Sequence, residues 1–340
     1  MKHTETDSPT EGIDWQSEGS GTEMTRGDRL REIYERSVYE PGVVAWSDVR
    51  TRLGLIIIGF YILVGLVAEL GLWRVPSTSQ APRLLGMFEN WSYPFGTSSS
   101  GVDLAAAIIH STPDILLMVL AGAVWATGVA LLVGTVAGYK GGTVDSVLMS
   151  ISDFVMAIPG LPLVIILAIT FSPENPLFLG VILTINYWAG LGRSLRSQVL
   201  TIRENSYVEA SRTMGTSTSR IIQKDIIPNL MPYVTVNFVF AARYTIFASV
   251  GLYYLGVLPY STQTWGVTLS RAQDNGALFV ADAAHWLIAP MIAIIGLSLG
   301  LILLGQGLDR VFNPRVRTRL AGESESVAGD EEETSTNQVM

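Results

Sequence analysis

The chain has 340 residues and a formal net charge of -8, with 49% hydrophobic and only 15% charged side chains, where an average soluble domain carries about 25% charged residues. With a positive mean hydropathy, that balance points away from an ordinary soluble domain and towards a membrane protein. The absence of cysteine excludes a disulfide framework, a thiolate metal site and a cysteine nucleophile.

In chain order, residues 1–28 come first, rich in Ser, Thr, Glu and Gly and carrying Glu5, Asp7, Glu11, Asp14, Glu18 and Glu23. Residues 318–340 match them, with Glu323, Glu325, Asp330, Glu331, Glu332 and Glu333. Neither tail holds enough apolar surface to offset the entropy of ordering, so both are expected to be disordered and acidic. Residues 29–52 form a short segment leading into a membrane domain over 53–317. No apolar run in the first 50 residues reads as a signal peptide. Of 22 basic residues only Lys2, Lys140 and Lys224 are lysines, and this arginine-rich, acidic composition resembles that of a salt-loving archaeon.

Leu53 to Trp73 is apolar except for Glu69, and Ile115 to Ala137 carries no charge. Each is long enough to cross a hydrocarbon layer of about 30 Å. A third span is expected from Val147 to Phe171, interrupted by Asp153, Pro159 and Pro162, and a short fourth from Leu177 towards Leu191. The fifth, Met231 to Val257, contains Arg243, and the sixth, Trp286 to Leu304, is uncharged. The expected fold is therefore all-α, a polytopic bundle of six transmembrane helices, since long unbroken apolar runs exclude a closed barrel.

Six spans place both termini on one side. The segments on that side hold Arg50, Arg52, Lys140, the run Arg193, Arg196, Arg203, Arg212, Arg220 and Lys224, then Arg310, Arg315, Arg317 and Arg319. The opposite segments hold Arg74, Arg83 and Arg271. By the positive-inside rule both termini are expected in the cytoplasm of a multi-pass plasma-membrane protein surrounded by lipid.

Residues 192–228, between the fourth and fifth spans, are polar yet patterned. Ser206 and Glu209 have the spacing of a capping box, which predicts a short helix starting there. Gly215 stands where that helix needs a left-handed residue to stop. Ser217 is placed to cap a second helix carrying Ile221, Ile222 and Ile226 and ending before Pro228. From spacing alone this helix-turn-helix is either a docking element or a membrane-surface connector held by its arginines.

Glu209-Ala210-Ser211, then Gly215, then Asp225-Ile226-Ile227-Pro228 resemble the EAA loop of ABC importer permeases. The resemblance extends to the dipeptide and oligopeptide branch, which also includes nickel importers. It rests on Pro94-Phe95-Gly96-Thr97 with Gly101 and Asp103, Ala137-Gly138-Tyr139 with Gly141, Gly142 and Asp145, and Asp153 with Pro159. It continues through Tyr207-Val208-Glu209-Ala210, Leu255-Gly256 with Trp265-Gly266, and Gly305-Gln306-Gly307-Leu308 with Asn313-Pro314-Arg315. Ser99, Ser100, Val102 and Ser249 depart from that pattern.

The resemblance implies the MetI-like permease fold and a coupling loop carried by Ser206, Tyr207, Glu209, Ala210, Gly215 and Pro228. It also implies a second homologous permease, two ATP-binding subunits that use ATP and Mg, and an extracellular solute-binding lipoprotein, with no nucleic acid partner. Peptides are the expected solute, with nickel or another small solute as the alternative.

Other classes lack their residues. Lys2, Lys140 and Lys224 are followed by His3, Gly141 and Asp225, so no P-loop is present and ATP hydrolysis is expected to belong to other subunits. His3, His110 and His285 lie far apart with no zinc or hydrolase pattern, and His110 and His285 read as interfacial or solvated. An ion-coupled carrier working alone would need acidic relays, and Glu69 with Asp153 is a poor basis for them. Asp153 serves either helix packing or gating, or is solvated at the interface. Arg243 either lines the solute path or pairs with an acid of a partner, and Pro159 with Gly160 and Pro162 marks either a path-lining break or a packing kink.

Overall fold

The computed structural model describes residues 46, 48–79, 81–258 and 264–312. The expected acidic tails, residues 29–45 and the Asn313-Pro314-Arg315 motif lie outside the described residues. Among the described residues there are eleven α-helices, in chain order α1 (Val49–Glu69), α2 (Leu104–Lys140), α3 (Gly142–Ala157), α4 (Gly160–Phe171), α5 (Pro176–Leu183), α6 (Tyr187–Ile202), α7 (Ser206–Thr213), α8 (Thr218–Ile221), α9 (Ile227–Tyr254), α10 (Trp265–Asp274) and α11 (Ala284–Phe312).

Among the described residues four helical runs are long and apolar enough to cross a membrane: α1, α2, Thr218–Tyr254 and Ala281–Asp309. A fifth crossing results if α3 and α4 count as one span, although they are bent by 83° at Ile158 and Pro159. The bend has a chemical cause. Pro159 lacks the amide that would continue the ladder and disfavours a helical Ile158, whose ψ of 124° is extended. The expected fourth span, 177–191, is divided: α5 and α6 are separated by a turn over 184–186, and α6 continues as a polar helix to Ile202. Eight residues cover only about 12 Å, so α5 cannot cross alone.

The central member is α2, which packs against α6, α5, α9 and α1, while α11 packs against α1 and α9. Without water to drive apolar burial, membrane helices associate through close packing, and small residues allow their backbones to meet. A Cβ at Gly180 would stand 2.1 Å from the Met118 carbonyl oxygen of α2, and one at Gly134 would stand 2.6 Å from that of Gly192 on α6.

At one end of the bundle the Pro94-to-Asp103 motif is structural. Asp103 caps α2, its Oδ1 accepting from the amides of Ala105 and Ala106 at 2.9 and 3.3 Å. His285 Nε2 lies 2.8 Å from the Thr97 carbonyl and its Nδ1 2.9 Å from that of Asp282, with the residue only 6% exposed. His285 is therefore a buried pin between this loop and α11, so of the expected alternatives, interfacial or solvated, it is not solvated. His110, half-buried, has Nε2 3.1 Å from the Arg74 carbonyl and ties the end of the α1 connection to α2.

Candidate functional site

The opposite end of the bundle carries the segment that sequence spacing singled out. The first helix is present as α7, but its N-cap is Asn205 and Ser206 is its first helical residue. No side-chain cap bond forms there, so the capping box expected of Ser206 and Glu209 is absent. Both Asn and Ser are good N-cap residues, and the neighbouring Asn takes the position with extended φ and ψ. Glu209 lies exposed in the first turn, where its charge opposes the positive end of the helix dipole.

Gly215 has φ +75°. The Gly215 amide donates to the Arg212 carbonyl at 3.0 Å and the Thr216 amide to that of Ser211 at 3.1 Å, the paired bonds of a Schellman stop. Ser217 then occupies the N-cap of α8 without a side-chain cap bond. The second helix does not end before Pro228, as its proline suggested. It continues from Thr218 through a widened π turn, Ile222–Ile226, into α9, giving one helical run to Tyr254. The extra residue in that turn absorbs the bond and the space that Pro228 denies to a regular helix.

Three side chains seat this element. Val208 is fully buried, as are Ile221 and Ile226, while Tyr207, Ala210 and Met214 face outwards. Arg203 donates from Nη1 to the Gly138 carbonyl at 2.9 Å, satisfying an otherwise free carbonyl at the end of α2. Arg212 lies 5.8 Å from the Tyr139 ring centroid. Between these contacts opens a cleft of about 770 Å³ lined by Tyr139, Lys140, Arg203, Glu204, Glu209 and Arg212. The structure thus brings Glu209 together with the Ala137-to-Tyr139 motif, whereas Pro228 lies apart at the start of α9.

Asp153 and Pro159 are not brought to one site with Arg243 by any described contact. Asp153 pairs with Arg193, and Asp145 takes a two-pronged contact from Arg196, Nε donating at 3.0 Å to Oδ1. The two pairs clamp α3 onto α6. The Asp145 contact, partly shielded from solvent, holds the Arg196 guanidinium above its ordinary range. These arginine partners escaped the sequence reading because residues 40 to 51 apart carry no local signal of their meeting.

Arg243, half-buried in the middle of α9, lies 5.8 Å from the Phe240 ring centroid. The neighbouring Tyr244 packs at a tilt of 39° against Tyr187, with ring centroids 4.9 Å apart. Among the described residues no carboxylate lies within ion-pair distance of Arg243. Phe240 also lines a second cleft of about 580 Å³ with Gln198, Asn229, Tyr233, Asn237 and Gln306. Sequence reasoning missed this group, although Asn229, Tyr233 and Asn237 stand four residues apart along one helix.

Residues 130–318 match the family model described as binding-protein-dependent transport system inner membrane component. The chain is 32% identical over 228 residues to the dipeptide transport system permease protein DppC of Bacillus subtilis (strain 168), covering 66% of this chain and 69% of that one. It is 28% identical over 287 residues to the oligopeptide transport system permease protein OppC of the same organism, covering 80% and 90%. The dipeptide transport system permease protein DppC of Lactococcus lactis subsp. cremoris (strain MG1363) is 30% identical over 234 residues, covering 68% and 66%.

Proposed function

We propose, from the premise that this chain belongs to the family of binding-protein-dependent transport system inner membrane components, that it is the permease subunit of an ABC importer for dipeptides or oligopeptides. It is a transport subunit and not an enzyme, and nucleotide is handled by separate ATPase subunits. The observation that carries the reading is the unbroken helical run from Thr218 to Tyr254. A force applied to the exposed α7 and α8 passes through the π turn directly into the α9 span.

In this reading α7 and α8, with Ser206, Tyr207, Glu209, Ala210 and Gly215, dock on an ATPase, and Pro228 transmits the movement at the base of α9. Both termini and the 770 Å³ cleft face the cytoplasm, consistent with the arginine asymmetry. A second permease faces α9 to close the path, a binding protein delivers solute from outside, and the host is a salt-loving archaeon. Arg243 lines the path, while Pro159 supplies the bend of α3 on α4 beside it. Asp153 serves by clamping α3 to α6.

The test is uptake of labelled trialanine into proteoliposomes that hold this chain with its companion permease, both ATPases and the binding protein. ATP-dependent accumulation is expected. A complex that accumulates nickel and no peptide of two to six residues would overturn the peptide assignment.

A further inference from the structure

The guanidinium of Arg243, which pairs with no carboxylate among the described residues, lies beside Phe240, and Phe240 lines the 580 Å³ cleft. Arg243 follows Phe240 by three residues on α9, about one helical turn beyond the last residue of that helix to line the cleft. A charge in the middle of a membrane helix is costly unless it faces protein or water and finds a partner. Among the described residues no carboxylate supplies one, so the guanidinium is open to an anionic ligand.

The cleft is lined by side-chain amides whose free ends supply both acceptors and donors. Asn229 and Asn237 each donate Nδ2 to the carbonyl four residues earlier, at 2.7 and 2.8 Å, which leaves each Oδ1 as an acceptor. Gln306 accepts from Arg50 through Oε1 at 3.0 Å and keeps its NH2 as a donor. Acceptors and donors of this kind match the N–H and C=O groups of a peptide backbone, which every peptide shares whatever its side chains. From Asn229 to Arg243 the helix rises about 21 Å at 1.5 Å per residue. An extended peptide of roughly six residues has that length. Asp309 lines the same cleft and is exposed.

We propose that Arg243 takes the terminal carboxylate of the transported peptide, while the amides of the cleft take its backbone along α9. The fork of a guanidinium suits a carboxylate in a way a point charge does not. The Phe240 ring lies against the guanidinium and adds a cation–π contact on one side of it. This inference rests on the peptide-permease reading.

The test compares uptake of trialanine with that of trialanine carboxamide in proteoliposomes holding the full complex, with wild type, Arg243→Gln and Arg243→Lys. The binding protein is common to all arms, so a change in the acid-to-amide ratio belongs to the permease. Removing a charge-assisted bond predicts that the ratio falls on the order of tenfold in Arg243→Gln. Arg243→Lys keeps the charge and retains an intermediate ratio. An unchanged ratio in Arg243→Gln, whether uptake of both peptides is lost together or kept together, overturns the proposal and assigns Arg243 to a partner permease's carboxylate or to packing. If the wild-type complex carries neither peptide while accumulating another solute, the peptide reading fails first and this inference fails with it.

Discussion

Gly215 is where a single residue bears most directly on coupling. Its φ of +75° lies where a side chain is strained, yet a Cβ there would meet no atom within 4 Å. The penalty for Gly215→Val is therefore one of backbone conformation, about 1–2 kcal/mol at a left-handed position. Asn tolerates that conformation, so Gly215→Asn should keep ATPase co-purification and ATP-driven uptake. Gly215→Val should insert normally and lose one or both. Equal behaviour of the two variants would show that the turn's geometry is irrelevant to coupling. Glu209 makes the complementary case. Without a capping box its charge contributes only through the helix dipole, a few tenths of a kcal/mol. Glu209→Ala should therefore leave the thermal midpoint of the detergent-solubilised chain within about 1 °C while weakening ATPase capture measured by pull-down, because Glu209 is exposed and lines the cleft. A large fall in the midpoint would show that Glu209 holds the fold.

Between elements, the clamp of α3 on α6 is the interaction most open to measurement. The Asp145 and Arg196 side chains are 15% and 32% exposed, so screening limits their pairing. A double-mutant cycle of Asp145→Asn and Arg196→Gln, read by thermal unfolding in detergent, should give a coupling of about 1 kcal/mol. Additive effects would remove the clamp. This contact also marks where sequence reading stops. The runs forming α1, α2, α9 and α11 were legible because a predominantly apolar stretch of about 20 residues has few alternatives. The third and fourth spans were not, since hydropathy is blind to direction: it joined α3 to α4 across an 83° bend and α5 to α6 across the turn over 184–186. At the candidate site the stop at Gly215 was legible because glycine is the residue most at ease in a left-handed conformation. The cap was misplaced by one residue because Asn205 and Ser206 have nearly equal cap preference. The α9 cleft was overlooked because Gln198 and Gln306 join it only through tertiary packing.

At the scale of the whole molecule the proposed cytoplasmic placement of α7 and α8 decides whether a soluble ATPase can reach them. The structure separates two ends of the bundle. One carries the Asp103 cap and α10, the other carries α7 and the 770 Å³ cleft. Arginine crowds the second end, and translocating those charges against the membrane potential would be unfavourable. The chain has no cysteine, so each introduced thiol reports alone. Ser100, Asp274 and Ser217 are all exposed, the first two at one end and the third at the other. In intact cells treated with a membrane-impermeant maleimide, Ser100→Cys and Asp274→Cys should label, and Ser217→Cys should label only after the cells are lysed. Labelling of Ser217→Cys in intact cells would place α7 and α8 outside, where no ATPase could engage them. The helical run into α9 would then have nothing to transmit, and the coupling reading would fall even though the bundle itself stood unchanged.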